Sequence, residues 1–480
     1  LSLSETLYWH DYETSSAEVS TARPVQFGGV RTDTALNIIG DPLLIYAKPT
    51  PDDLPHPGAV RTTRISPQEA LARGLTEAEF MAHVHRELAQ PGTCGVGYNS
   101  IRFDDEVTRF SLFRNFYDAY KREYAQGNSR WDLVDVARAY GALRPGDLVW
   151  PVGENGAVSY RLEHLTAANG IDHGNAHDAL SDVYATIGLA KRLRAIDTAL
   201  FDTLYAQRSK QAVARLLDLK GLKPLLHISG IHGGARHNLA VVVPLATLPG
   251  RANDIICVDL RRPMDFLDWS TETIQSHLFA PRSGAASDVP RPGLFTLKLN
   301  QAPVLLPMAW MTPEIATRLG LDGDEIRSHL AQVRAAKQTD SKGFEAWLQA
   351  VFQRDFTPSS AAPDPETTLY SGPFLNDADR RLADHVVRAT PEELAQHSWP
   401  FQDTRLAELL FRYRARNFPE SLSSAEQAQW REFCQERLHV NGPLVMADFN
   451  VALAAELARD DLSPEQHRAL QDLAIYARTL

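Results

Sequence analysis

Apolar positions open the chain in a strand-like run. Leu7-Tyr8-Trp9-His10-Asp11-Tyr12-Glu13 reads as a first strand, and residues 25–32 and 43–47 as two more, which together predict a β-meander. Helix-like spacing follows. Ser66-Pro67-Gln68-Glu69 has the form of a capping box with proline in the first helical position, and residues 175–194 predict a long helix. This alternation, up to about Arg194, is the pattern of an α/β domain. From about Leu200 to Ala350 a helix-like stretch gives way to short β-rich runs at 239–244, 255–260 and 294–299. Gly- and Pro-containing turns at 230–234 and 281–292 separate them, as a small barrel or sandwich requires. Residues 356–372, rich in Pro, Ser, Thr and Asp, read as a linker. Beyond it, amphipathic spacing predicts helices at 377–389, 391–396, 405–417, 425–438 and 463–480. The expected organisation is 1–197, 198–350, a linker at 351–375, and 376–480, with no internal repeat.

Composition narrows the class. A chain of 480 residues exceeds one ordinary core and calls for several domains. With 44% hydrophobic and 23% charged residues it has a globular composition, and no apolar run approaches the roughly 18 residues of a membrane span. The first ten residues lack the basic and apolar blocks of a signal peptide, so a cytoplasmic location is expected. Cys94, Cys257 and Cys434 are scattered, which supports neither a disulfide framework nor a zinc site. The net charge of −11 argues mildly against a nucleic-acid ligand, whose binding rests on Lys and Arg. A local basic groove on an acidic body, with carboxylates gathered at a metal site, reconciles the two.

Asp11 and Glu13 stand two apart on the first predicted strand, so both carboxylates lie on one face while Tyr12 points the other way. An isolated Asp-x-Glu ordinarily decorates a solvated strand, but this one sits beside Leu7 and Trp9 in an apolar run. Two further pieces join it: Asp104-Asp105-Glu106 at the start of a helix, and His177 with Asp182 five residues later in the last helix of the domain. Gathered carboxylates repel by about 4 kcal/mol per pair at 4 Å in an effective dielectric of 20, so such a cluster requires cations. Oxygen donors without Cys or a His cluster favour Mg²⁺ or Mn²⁺ over zinc, and two such ions stabilise the attacking and leaving oxygens of phosphodiester hydrolysis. His227, His232 and His237 are regularly spaced, yet they span a Gly-rich turn without an acid or Cys at ligand spacing, and a metal site is not expected there.

The order Asp-x-Glu, Asp, His-x-x-x-x-Asp within one α/β domain resembles the histidine-containing branch of the proofreading-type, RNase H-like exonuclease superfamily. Within it, His10-Asp11-Tyr12-Glu13-Thr14, the stretch from Gly97-Tyr98-Asn99 to Arg109, and Asn175-Ala176-His177-Asp178-Ala179 look like the bacterial exonuclease I family. Arg161-Leu162-Glu163-His164-Leu165 and Tyr413-Arg414-Ala415-Arg416-Asn417-Phe418-Pro419 extend the resemblance over nearly the whole chain. One departure is Ser15-Ser16, where the best-known member has Phe-Gly; it leaves the ligands intact.

The resemblance implies a multidomain α/β protein: an RNase H-like exonuclease domain, a β-rich SH3-like domain and an all-α C-terminal domain. It implies an exodeoxyribonuclease that hydrolyses single-stranded DNA from the 3′ end with Mg²⁺ (two ions; Mn²⁺ also suits), releasing 5′-mononucleotides in DNA repair and recombination. In that reading Asp11 bridges both ions, Glu13 and Asp182 complete their shells, Asp104 holds a ligand or water, and His177 is the general base. An imidazole with an ordinary pKa near 6.5 suits that task near neutral pH. Arg161 is a candidate for a phosphate or terminal-nucleotide contact, with an ion pair to Glu163 as the alternative. Tyr120 and Tyr124, beside Lys121 and Arg122, either stack bases or pack in a helix core. The arginines at 412, 414 and 416 read as a solvated face or, as part of the family-like string, as a lining of the DNA path. The family further implies a monomer that docks on the acidic tail of single-stranded DNA-binding protein, with Arg144 on the docking surface. Two rivals stand beside this: a 3′→5′ exoribonuclease, against which the extra domains argue, and a non-catalytic single-stranded DNA scaffold, against which the complete ligand set argues.

Overall fold

The computed structural model describes residues 5–153, 156–174, 177–281, 291–353 and 363–480. They fold as two compact units, one drawn from Leu1–Ser129, Asp172–Gly188 and Ser359–Leu480, the other from Arg130–Ile171 and Leu189–Pro358. No helix among the described residues is long and apolar enough to cross a membrane.

The first unit is built on strands β1 (Thr6–Thr14), β2 (Pro24–Thr32), β3 (Leu43–Tyr46) and β4 (Thr93–Gly97), in the spatial order β3-β2-β1-β4. The first three form the expected meander, and β4 lies parallel to β1. This leaves β1 central, with every residue buried except Thr6 and Asp11 at its partly exposed points. Trp9 is fully buried, and its Nε1 donates to Thr32 Oγ1 at 2.9 Å. Tyr8, Tyr12 and Phe27 pack with Phe80, Met81, Val84 and Leu88 of the helix Glu77–Leu88. Each such side chain contributes about 1.5–3 kcal/mol by leaving water. Thr76 and Glu79 close a complete capping box at the start of that helix, and at Ser66 the hydroxyl accepts from the Glu69 N–H, which is one half of the box the sequence predicts there.

The predicted C-terminal helices are found at Asp377–Val386, Pro391–Gln396, Thr404–Asn417, Ser424–Glu436 and Pro464–Ala477. A further one, Met446–Leu457, was not expected: apolar residues occupy most of its positions and hide the i, i+4 pair Phe449 and Leu453 that it buries. Of the predicted linker, residues 356–362 lie outside the described residues. The remainder is anchored: Pro365–Thr367 forms a turn, and Glu366 is 3% exposed.

Glu366 belongs to a buried ionic network. It meets Arg23 at 2.7 Å and Arg416 at 2.6 Å; Arg416 also meets Asp52 at 2.7 Å. Arg412 and Arg437 hold Asp364 at 2.7 and 2.6 Å, and Arg114 holds Glu77 at 2.6 Å. The arginines at 412 and 416 are therefore not the solvated face expected from their spacing, because carboxylates of distant segments reach them inside the unit. Arg414 is likewise buried and paired with Glu426 at 2.6 Å. The guanidinium groups around Glu366 hold its carboxyl well below the usual range despite burial, and Asp52 is lowered in the same way.

The second unit carries a five-stranded antiparallel sheet in the order Val304–Pro307, Leu225–Ile228, Leu239–Leu248, Arg251–Asp259, Leu294–Lys298. Three of these strands match the predicted runs. Leu225–Ile228 and Val304–Pro307 are short and apolar throughout or nearly so, without the alternation that marks a half-buried strand. Their Leu225 and Leu305 join Val242, Ile255, Cys257 and Leu297 in one core. The predicted turn at 281–292 falls mostly on 282–290, outside the described residues. His227 Nδ1 and His232 Nε2 lie 2.8 Å apart in a hydrogen bond. The whole is thus mixed α/β, with an RNase H-like sheet, a second β-rich sheet and a helical C-terminal region.

Candidate active site: a buried carboxylate cluster

The period of two along β1 turns Asp11 and Glu13 to one face, and the antiparallel register sets Gly28 opposite Asp11 and Gln26 opposite Glu13. The missing side chain at Gly28 is what admits the third element. A Cβ there would stand 2.5 Å from the backbone carbon of Ala179 and from the amide nitrogen of Leu180, so only glycine lets the helix Ala179–Ile196 start against β2. Asp182, in the first turn of that helix, is thereby delivered to the strand face. The helix begins later than the sequence predicted: His177 is in a turn, and Asn175 and Ala176 lie outside the described residues.

Asp104 arrives from β4. The chain leaves the strand through Gly97, where a Cβ would meet Ser100 Cβ at 2.6 Å, and Asn99 with a φ of 63°, then enters the helix Asp104–Arg114. Acids at 104, 105 and 106 suit the positive end of that helix. Asp104 is 3% exposed, and its Oδ1 accepts the Tyr12 backbone N–H at 3.0 Å, which ties it to β1 between the two strand carboxylates.

Glu13, His177 and Asp182 each offer a ligand atom, all within 4.8 Å of one another. The His177 N–H donates to Asp182 Oδ1 at 3.3 Å, with His177 itself in the left-handed region at a φ of 67°. Burial raises the carboxyls of Asp11 and Glu13 well above the usual range. For Asp11 the next causes are Asp104, Glu13, Asp182 and Asp178; for Glu13 they are Asp182, Asp104 and Asp178. Buried carboxylates that raise one another in this way fit divalent cations bound through oxygen, and Glu13 and Asp182, with His177, are the group whose ligand atoms lie close enough together to share one.

Two neighbours were not singled out from the sequence. His173 Nε2 is 2.6 Å from Asp182 Oδ1, and nothing in its polar setting signals this. Gln26 is 1% exposed and bonds to the start of the Asp182 helix; a lone amide inside an apolar strand was the available signal.

Tyr120 and Tyr124 do not share a helix face. Tyr120 precedes the single turn Lys121–Glu123 and packs 6.4 Å from Tyr370 and 6.2 Å from Phe374, with the Arg109 guanidinium 5.5 Å from its ring; Tyr124 is exposed. Arg161 and Arg144 belong to the second unit. Arg161 pairs with Glu163 at 2.6 Å and is largely exposed. Arg144 pairs with Asp197 at 2.8 Å and lies 5.8 Å from the Trp310 ring.

Comparison with known proteins places this geometry. Residues 8–190 match a family model described as exonuclease, 208–354 one for the exonuclease I SH3-like domain, and 363–480 one for the exonuclease I C-terminal domain. The chain is 42% identical to exodeoxyribonuclease I of Escherichia coli K12 over 428 residues, covering 89% of this chain and 88% of that protein. A zinc-bound E. coli exonuclease I complex with single-stranded DNA superimposes with a TM-score of 0.91 at 40% identity, over 99% of both chains. A complex of single-stranded DNA-binding protein and exonuclease I with an inhibitor gives 0.89 at 38% identity, over 99% of this chain and 100% of that one. A central strand bearing Asp11 and Glu13, the two helices that bring Asp104 and Asp182 to it, and matches along almost the entire length make the chain a member of the exonuclease I family of exodeoxyribonucleases.

Proposed function

We propose that this chain hydrolyses single-stranded DNA from its 3′ end, releasing 5′-mononucleotides, with Mg²⁺ held by Asp11, Glu13, Asp104 and Asp182. The observation that carries the reading is the convergence of carboxylates from three elements in a buried cluster with His177 beside it. The oxygen-rich donor set suits Mg²⁺ or Mn²⁺ better than zinc, although a relative binds zinc. When bound, the cations supply charge to stabilise the attacking and leaving oxygens. His177 takes the proton of the attacking water, and its φ of 67° turns its backbone N–H toward Asp182.

Solved complexes of relatives support the wider reading. In this reading Tyr120, set among Tyr370 and Phe374, and the exposed Tyr124 stack bases, and Arg161 exchanges Glu163 for a phosphate of the terminal nucleotide. Arg144 receives the acidic tail of single-stranded DNA-binding protein in exchange for Asp197. The chain works as a monomer of nuclease, SH3-like and helical domains, in DNA repair.

Digestion of 3′-labelled and 5′-labelled single-stranded DNA with Mg²⁺ tests the proposal. The 3′ label is expected to be lost first, with no cleavage in EDTA and none by Asp11→Ala. His177→Ala should lower kcat by about 10²–10⁴-fold. Faster cleavage of a matched RNA oligomer, or tight DNA binding without cleavage, would overturn it.

A further inference from the structure

We infer that Gln26 is a positioning residue for this hydrolysis, one whose amide fixes the segment that carries His177 and Asp182 to the strand that carries Glu13. The inference rests on the carboxylate cluster being the nuclease site. Gln26 and Glu13 are partners in the antiparallel register and so share a face. Two of the buried amide's three hydrogen bonds go to one place. Its Oε1 accepts the Ala179 N–H at 2.8 Å, and its Nε2 donates to Asp178 Oδ2 at 3.1 Å and to the Tyr46 hydroxyl at 2.7 Å. The other Asp178 oxygen accepts the Ser181 N–H at 3.1 Å. The amide thus grips both the residue after His177 and the first residue of the Asp182 helix.

The chemistry is specific. The segment presents an N–H, which needs an acceptor, next to a carboxylate, which needs a donor, and an amide offers both. Glutamate lacks the donor and adds a carboxylate to a cluster already held together against repulsion; leucine lacks both. The grip matters because His177 occupies the left-handed region, which a residue with a side chain keeps only where its surroundings dictate it. Gly28 admits the helix, and Gln26 locks it.

The reciprocal exchange is the test. Gln26→Glu should lower kcat on single-stranded DNA by about ten- to a hundred-fold and weaken calorimetric Mn²⁺ binding by a similar factor, with KM for the oligomer nearly unchanged. Combining it with Asp178→Asn moves the donor to the other side of the same bond, and should recover most of both losses. A double variant no better than Gln26→Glu, or a Gln26→Glu variant with wild-type kcat and Mn²⁺ affinity, overturns the inference. Gln26→Leu, with its melting temperature recorded alongside, guards against a charge artefact: loss of Mn²⁺ affinity in a folded Leu variant supports the positioning role, and retention of it does not. Failure of the wild-type chain to cleave DNA would instead sink the functional reading, and the Mn²⁺ titrations would still decide the role of Gln26.

Discussion

At the scale of single residues, the acids were legible and their supports were not. A period of two puts Asp11 and Glu13 on one face whatever the surroundings, so the strand pattern alone pairs them. Gln26 and His173 acquire their roles from contacts across 153 and 9 positions, which no local spacing encodes. His10 illustrates a residue whose character changes with its setting. It is 2% exposed and stacked 6.0 Å from Phe27, and burial lowers its pKa from the ordinary 6.5 to about 4, with Arg122 adding to the effect and Asp105 opposing it. Between those values the unfolded chain binds the proton and the folded one does not, so stability rises with pH through that window and is lost as pH falls from 6.5 toward 4, at up to about 1.4 kcal/mol per pH unit. Thermal melting between pH 4 and 7 should show a flatter profile for His10→Phe than for the wild type; an unchanged slope would assign the acid sensitivity to other groups.

At the scale of elements, strands with alternation and helices with caps were readable, and short all-apolar strands were not. Leu225–Ile228 and Val304–Pro307 carry no period that separates a buried strand from a piece of helix. The seating of the Asp182 helix was equally hidden, since the sequence offers only one glycine among many at Gly28. Its weight can be measured. Gly28→Ala places a Cβ against backbone that has no rotamer to yield, so the helix start must shift. A displacement of about 1 Å should cost roughly 10²-fold in kcat. Gly146→Ala, where a Cβ meets nothing within 4 Å, should leave the rate unchanged, and equal rates for both variants would remove Gly28 from the account.

At the scale of the whole molecule, the ionic network governs the first unit. Its members were visible in the sequence only as scattered charges, and two of them, Arg412 and Arg416, were read as solvated. Arg416→Met leaves Asp52 and Glu366 buried with fewer partners. It should destabilise the protein by about 3–5 kcal/mol in urea unfolding, whereas Arg459→Ala, which removes an exposed pair with Asp461, should leave the midpoint where it is. Equal effects would mean that the buried pairs hold nothing together. The network also sets an order in time. Glu366 follows Arg23 by 343 residues, and at about 5–20 residues per second a ribosome takes roughly 20–70 s to make it. Throughout that interval Arg23 has only Asp52 and Glu77 to pair with, and the network closes when the C-terminal segment supplies Glu366 and Arg416. A chain that stops short of Asp364 therefore carries Arg23 and Asp52 without the later partners that close the network.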